Sequence, residues 1–151
     1  MKKSNRHLTE AKLRTIYNTT EIIYVVVDPH FRIISYNIRA IEFAKRELGI
    51  SMEHSQYILD FFPEHRRTVL LKNMNEVLKG NVVQYETDYR QADGSSHNYY
   101  VRILPLTKGG ASIYGVMLEV SEITQLKSME QELLNLKLQE QKNSTKAIMH
   151  A

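Results

Sequence analysis

Hydrophobic and polar positions along this chain change their period several times, and each change marks an element. The run Ile22-Ile23-Tyr24-Val25-Val26-Val27 is apolar throughout, and Phe31-Arg32-Ile33-Ile34-Ser35-Tyr36 is β-rich again. Asp28-Pro29-His30 separates them, which predicts a hairpin. Ile23, Val25 and Val27 alternate with Ile22, Tyr24 and Val26, so the first strand is apolar on both faces and needs cover on both. One face would take the domain core, the other an N-terminal flanking helix or a second subunit. That helix is expected over residues 1–20, where Leu8, Leu13, Ile16 and Tyr17 form a loose stripe behind Thr9 as cap.

Beyond the hairpin the period lengthens. Asn37 is placed to cap a helix with Ala40, Ile41, Ala44 and Leu48 on one face, and Gly49 is a natural stop. An irregular stretch then leads to Pro63-Glu64, a suitable helix start, and Leu70, Met74, Val77 and Leu78 form the next buried stripe before Lys79-Gly80. Period two returns in VVQYETDYR, with Val83, Tyr85, Thr87 and Tyr89 on one face. A turn at Asp93-Gly94 and a loop at Lys108-Gly109-Gly110 separate two further strands, HNYYVRILPL and ASIYGVMLEV. The order predicts an α+β domain over 21–121, a five-stranded antiparallel sheet with helices on one face.

The last segment, 122–151, is helical in pattern, with an apolar stripe too narrow for a globular core. Leu126, Met129, Leu133 and Leu136 follow the spacing of a coiled-coil seam. The register then meets Glu140 and Asn143, and a second stripe through Leu134, Leu138 and Ile148 takes over on another face, a phase shift resembling a stutter. A parallel two-stranded coiled coil in a homodimer is expected. A helix folded back on the open sheet face is the alternative.

Composition narrows the chemistry. The 151 residues carry 20 Lys and Arg against 17 Asp and Glu, a net +3 that does not argue for nucleic acid. No apolar run approaches a membrane span, so no membrane insertion is expected and the chain reads as cytoplasmic. There is no cysteine, which removes thiolate nucleophiles and cysteine-based metal sites. The six histidines show no helical i, i+4 pair, and no catalytic constellation stands out, so an enzyme is not expected. The tyrosines at 85, 89, 99, 100 and 114 read as cross-strand packing or as pocket hydroxyls.

The residues resemble the PAS sensor-domain family from about 15 to 127. VVVDPHFRIISYN resembles its opening hairpin, NIRAIEFAKRELG the following helix, ILDFFPEHRRTVL the lead into the central helix, YRQADGSSHNYYVRILPL its arginine, Asp-Gly turn and aromatic strand, and SEIT at 121–124 its closing Asp-Ile-Thr. Glu122 departs from the usual aspartate, and Tyr99 or Tyr100 stands where many members carry tryptophan. The resemblance implies a ligand pocket, for which Phe62, Leu70, Met74, Tyr85 and Tyr99 are candidates, and a relay at Glu122, Ile123 and Thr124. It implies a bacterial sensor histidine kinase context, with a small-molecule ligand and a downstream phosphotransfer domain as partners. A ligand-free protein-interaction module is the alternative. Cysteine-linked flavin or chromophore chemistry is excluded, and haem is not expected, because His65 falls in a helix's first turn beside Arg66 and Arg67.

Overall fold

The computed structural model describes residues 21–53, 56–110 and 112–150. The expected flanking helix over 1–20 lies outside the described residues. The chain runs through β1 (Ile23–Val27), β2 (Ile33–Tyr36), α1 (Ile38–Phe43), a π turn (Ala44–Leu48), a 3-10 turn (Ile58–Phe61), α2 (Glu64–Leu78), β3 (Val83–Arg90), β4 (Ser96–Lys108), β5 (Ser112–Glu122) and α3 (Thr124–His150). The strands form one antiparallel sheet in the order β2-β1-β5-β4-β3, so the two ends of the domain's strand sequence meet at its centre.

Strand alternation decides which face holds the core. Register aligns Val25, Leu118, Ile103 and Val83 across four strands, and the first three of these are buried. Ile23, Val27, Val116, Tyr99 and Val101 share that face and meet Ala40, Leu59, Leu70, Met74 and Val77 from the helical layer. The next row, Tyr24, Glu119, Arg102 and Gln84, faces the other way. No helix among the described residues packs along that second face. Gly115 on β5 allows a close backbone approach, since a Cβ there would lie 2.8 Å from the Val27 carbonyl oxygen.

The hairpin is tied locally. Asp28 accepts hydrogen bonds from the amides of His30 (2.8 Å) and Arg32 (3.0 Å), which holds Phe31 at a φ of +68°. A bulky residue adopts that conformation only when its surroundings enforce it, and here the Phe31 ring is buried in the core. Asn37 then joins hairpin to helix. Its Oδ1 accepts from Ala40 N and Tyr24 N, both at 3.1 Å, and its Nδ2 donates to the Ile22 carbonyl at 2.8 Å. A helix cap is thereby also a strand clamp.

After α1 the helix widens into the π turn that ends at Gly49, φ +66°. The pattern of Ala40, Ile41, Ala44 and Leu48 predicts one continuous α-helix there; the wider turn changes the facing of its last residues. Glu47, which an unbroken pattern leaves at the charged end of a surface helix, is turned inward, and its side chain is 1% exposed. Its carboxylate is fully engaged, by His97 Nδ1 at 2.6 Å, Gln91 Nε2 at 3.1 Å and Arg46 Nε at 3.1 Å. Burial pushes this carboxyl up, but the three hydrogen bonds outweigh it and hold it below the usual range.

The last helix, α3, is one unbroken rod of 27 residues, about 40 Å at about 1.5 Å per residue. Every residue from 128 to 148 is exposed, so α3 leaves the domain rather than folding back on the sheet.

Two outcomes test these local constraints. Asn37→Ala removes a helix cap together with the side-chain bonds to the Tyr24 amide and the Ile22 carbonyl, and it should cost about 2–4 kcal/mol in urea unfolding. For Glu47 the folded value lies below the unfolded one, so its stabilisation is complete above about pH 4.5 and lost as pH falls through the folded value. Urea titrations of the parent and Glu47→Gln should therefore converge as pH drops below that point.

Candidate functional site

A cavity of about 370 Å³ opens between α2 and the β3–β5 half of the sheet. That lies near the lower end of the roughly 300–1,000 Å³ typical of small-molecule sites. Its floor is Tyr99 and Val101 of β4 with Leu118 and Val120 of β5. Tyr85, Thr87 and Tyr89 of β3 line the far side, Val69 and Leu70 the α2 wall, and Phe43 and Phe62 also border the cavity. Apart from Glu86 of the edge strand β3, which also borders the cavity, the strand contributions are alternate positions of one sheet face, brought level by the β3–β4 and β4–β5 registers.

Of the residues expected in a pocket, Phe62, Leu70, Tyr85 and Tyr99 line this cavity. Met74 does not. It lies one turn beyond Leu70, wholly buried among the core side chains. Helical spacing tells which residues face the sheet but not how far along the helix the sheet falls away, so the stripe could not separate core from cavity. Tyr89, one of the tyrosines expected as core packing or as a pocket hydroxyl, lines the cavity too, and Thr87 and Val101 join it as period-two neighbours of Tyr85 and Tyr99.

The rings are arranged edge to face. Phe43 meets Tyr89 at 5.5 Å and Tyr99 at 5.1 Å between centroids, and Tyr89 meets Tyr99 at 5.8 Å, with interplanar angles of 80–89°. Arg66, from the first turns of α2, lies over the Tyr89 ring at 3.9 Å and donates to Thr87 Oγ1 at 3.0 Å and to the Asp88 carbonyl. His65 stands beside it on the cavity rim, exposed. Burial pushes the phenols of Tyr85, Tyr89 and Tyr99 up, so all three remain neutral hydroxyls at ordinary pH. The interior is therefore aromatic and uncharged, with charge only at the rim. It suits a small apolar or aromatic molecule held by packing and a few hydroxyl contacts. Among the described residues no group of three or more His, Cys, Asp or Glu is placed to hold a metal ion.

The residues expected to form a relay lie where β5 becomes α3. Ile123 N donates to the Asn98 carbonyl at 2.7 Å, and Thr124 Oγ1 accepts from Asn98 N at 2.9 Å. The helix root is thus pinned to β4 at the residue preceding Tyr99. Glu122, despite its extra methylene, finds a partner: Arg46 Nη2 donates to its Oε1 at 3.0 Å. The seam residues Leu126, Met129, Leu133 and Leu136 are all more than half exposed, and on the second stripe Leu134 is 50% and Ile148 77% exposed. No helix among the described residues is long and apolar enough to cross a membrane.

Known proteins place this architecture. The PAS fold family matches residues 18–128. No curated protein matches the chain. Among solved structures, the chain is similar to the PAS domain of BvgS from Bordetella pertussis, with a TM-score of 0.60 and 15% identity over 87% of this chain and 98% of that one. It is similar to a PAS domain protein from Colwellia psychrerythraea, TM-score 0.57, 16% identity, 78% and 98% covered. A sensory box sensor histidine kinase from Vibrio cholerae gives a TM-score of 0.51 at 15% identity, with 80% and 96% covered. At these identities the structures speak for the fold, and the match over 18–128 speaks for descent: the chain belongs to the PAS fold family.

Proposed function

We propose that this chain is a cytoplasmic PAS sensor module that binds a small, largely apolar ligand in the aromatic cavity and passes occupancy to α3. PAS domains are typically sensory or regulatory rather than catalytic. The observation that carries the reading is spatial: β4 supplies the cavity floor through Tyr99 and Val101 and, at Asn98, pins the root of α3. A ligand that moves the β4 floor moves the same strand that fixes the helix. The relay residues are Glu122, Ile123 and Thr124.

The exposed stripe on α3 supports a second part of the reading. Leu126, Met129, Leu133 and Leu136 pair with their counterparts in a second copy as a short parallel coiled coil. Two heptads make a marginal clamp, since each seam leucine adds only about 1.5–3 kcal/mol on full burial. A marginal clamp can change register under small inputs. The output partner in this reading is a histidine kinase phosphotransfer domain of a bacterial two-component protein, in keeping with the fold neighbour from Vibrio cholerae. A ligand-free interaction module is the second reading, favoured by the core around Met74, which is fully packed.

Native and denaturing mass spectrometry of the purified protein should reveal a bound small molecule, or binding of the apolar fluorophore ANS that Val101→Phe abolishes. An empty cavity that also refuses ANS favours the second reading. Leu133→Glu should weaken self-association by more than tenfold in sedimentation equilibrium. A protein that is monomeric at high concentration, or whose assembly ignores Leu133→Glu, removes the coiled coil.

A further inference from the structure

The aromatic cavity and the root of α3 meet at one guanidinium. Arg46 Nη2 donates to the Tyr99 hydroxyl at 2.7 Å and to Glu122 Oε1 at 3.0 Å. The Tyr99 ring is fully buried and forms cavity floor, whereas Glu122 is the last residue of β5, two positions before α3 begins. One nitrogen thus serves an acceptor on the cavity wall and an acceptor at the helix root. Strengthening either contact draws the guanidinium away from the other.

Arg46 is not free to follow both. Its Nε is fixed on Glu47 Oε1, and that buried carboxylate is itself held by His97 and Gln91. The π turn carries both Arg46, 44% exposed at its side chain, and the inward-facing Glu47; such wide turns recur at functional sites. A planar fork anchored at one edge can rock about that anchor, and a rocking motion exchanges Tyr99 contact for Glu122 contact. A separate polar link runs from β3 to α3, Lys127 with Glu86 at 2.7 Å, but it touches neither the cavity floor nor the buried Glu47.

We propose that Arg46 is the positioning residue that converts displacement of the Tyr99 ring into a change at Glu122, and so into the setting of the α3 root. The biological use of this coupling rests on the sensing reading above; the coupling itself is a property of the unliganded chain. Lysine at 46 keeps the charge but has no fork, so it cannot bridge Glu47, Tyr99 and Glu122 together.

The test is a mutant box in the full chain, read by hydrogen exchange of the amides from Ile123 to Lys127. Tyr99→Phe, Glu122→Gln and the pair are compared in the Arg46 and Arg46→Lys backgrounds. With Arg46 present, the pair should depart from the product of the single effects by at least about twofold. With Arg46→Lys the effects should simply multiply. Independence in the Arg46 background, or coupling that survives Arg46→Lys, would falsify the proposal. Should a buried substitution prevent folding, Glu122→Gln alone still decides: it replaces an exposed side chain, and it should shift the NMR resonances of the Tyr99 ring. An unmoved Tyr99 ring overturns the role. A cavity found empty by mass spectrometry would defeat the sensing reading while leaving the box result intact.

Discussion

The antiparallel ladder between β4 and β5 is the constraint from which the rest of the molecule follows. It runs from Tyr99 opposite Glu122 to Lys108 opposite Ser112, the longest pairing in the sheet. Its register sets Val101 beside Val120 and Ile103 beside Leu118, which fixes which side chains floor the cavity. A slip of one residue would turn all of them to the opposite face. The same register brings the end of β5 to the start of β4, so that Asn98 can hold Ile123 and Thr124. Core, cavity and helix root are three readings of one alignment.

That alignment explains how energetic roles are divided. The β1, β2 and α1 side is closed by full burial of Val27, Ile33 and Ala40 and by the threefold use of Asn37. The β3 side leaves about 370 Å³ unfilled. Unfilled volume near apolar walls forfeits dispersion contacts, so a chain that keeps it gives up stability it could otherwise hold. The edge-to-face rings and the Arg66 contact across Tyr89 keep the walls apart without filling the space.

Much of this was legible from residue order. The apolar hairpin run, the Asn37 cap, the Gly49 stop and the alternation of Val83, Tyr85, Thr87 and Tyr89 each have one physical meaning, and the structure agrees with each. The five-stranded sheet follows from them. The polar knot was not legible. Glu47 sits in a charged run before a glycine, and only a π turn, which no side-chain pattern announces, buries it. His97 and Gln91 lie some 50 positions downstream, so their convergence depends on the sheet register and not on local spacing. Met74 shows the complementary limit: periodicity found its face, but whether that face met packed core or open cavity depended on the distance to the sheet.

Gly115 has a mechanical meaning beyond its own contact. With the Val27 carbonyl 2.8 Å from where a Cβ at 115 would sit, β1 and β5 leave no room for a side chain there without a shift of backbone. The cavity lies against β3, β4 and the later part of β5. The close approach at Gly115 and the open volume beside Leu118 and Val120 thus lie on one strand, β5, whose far end leads into α3.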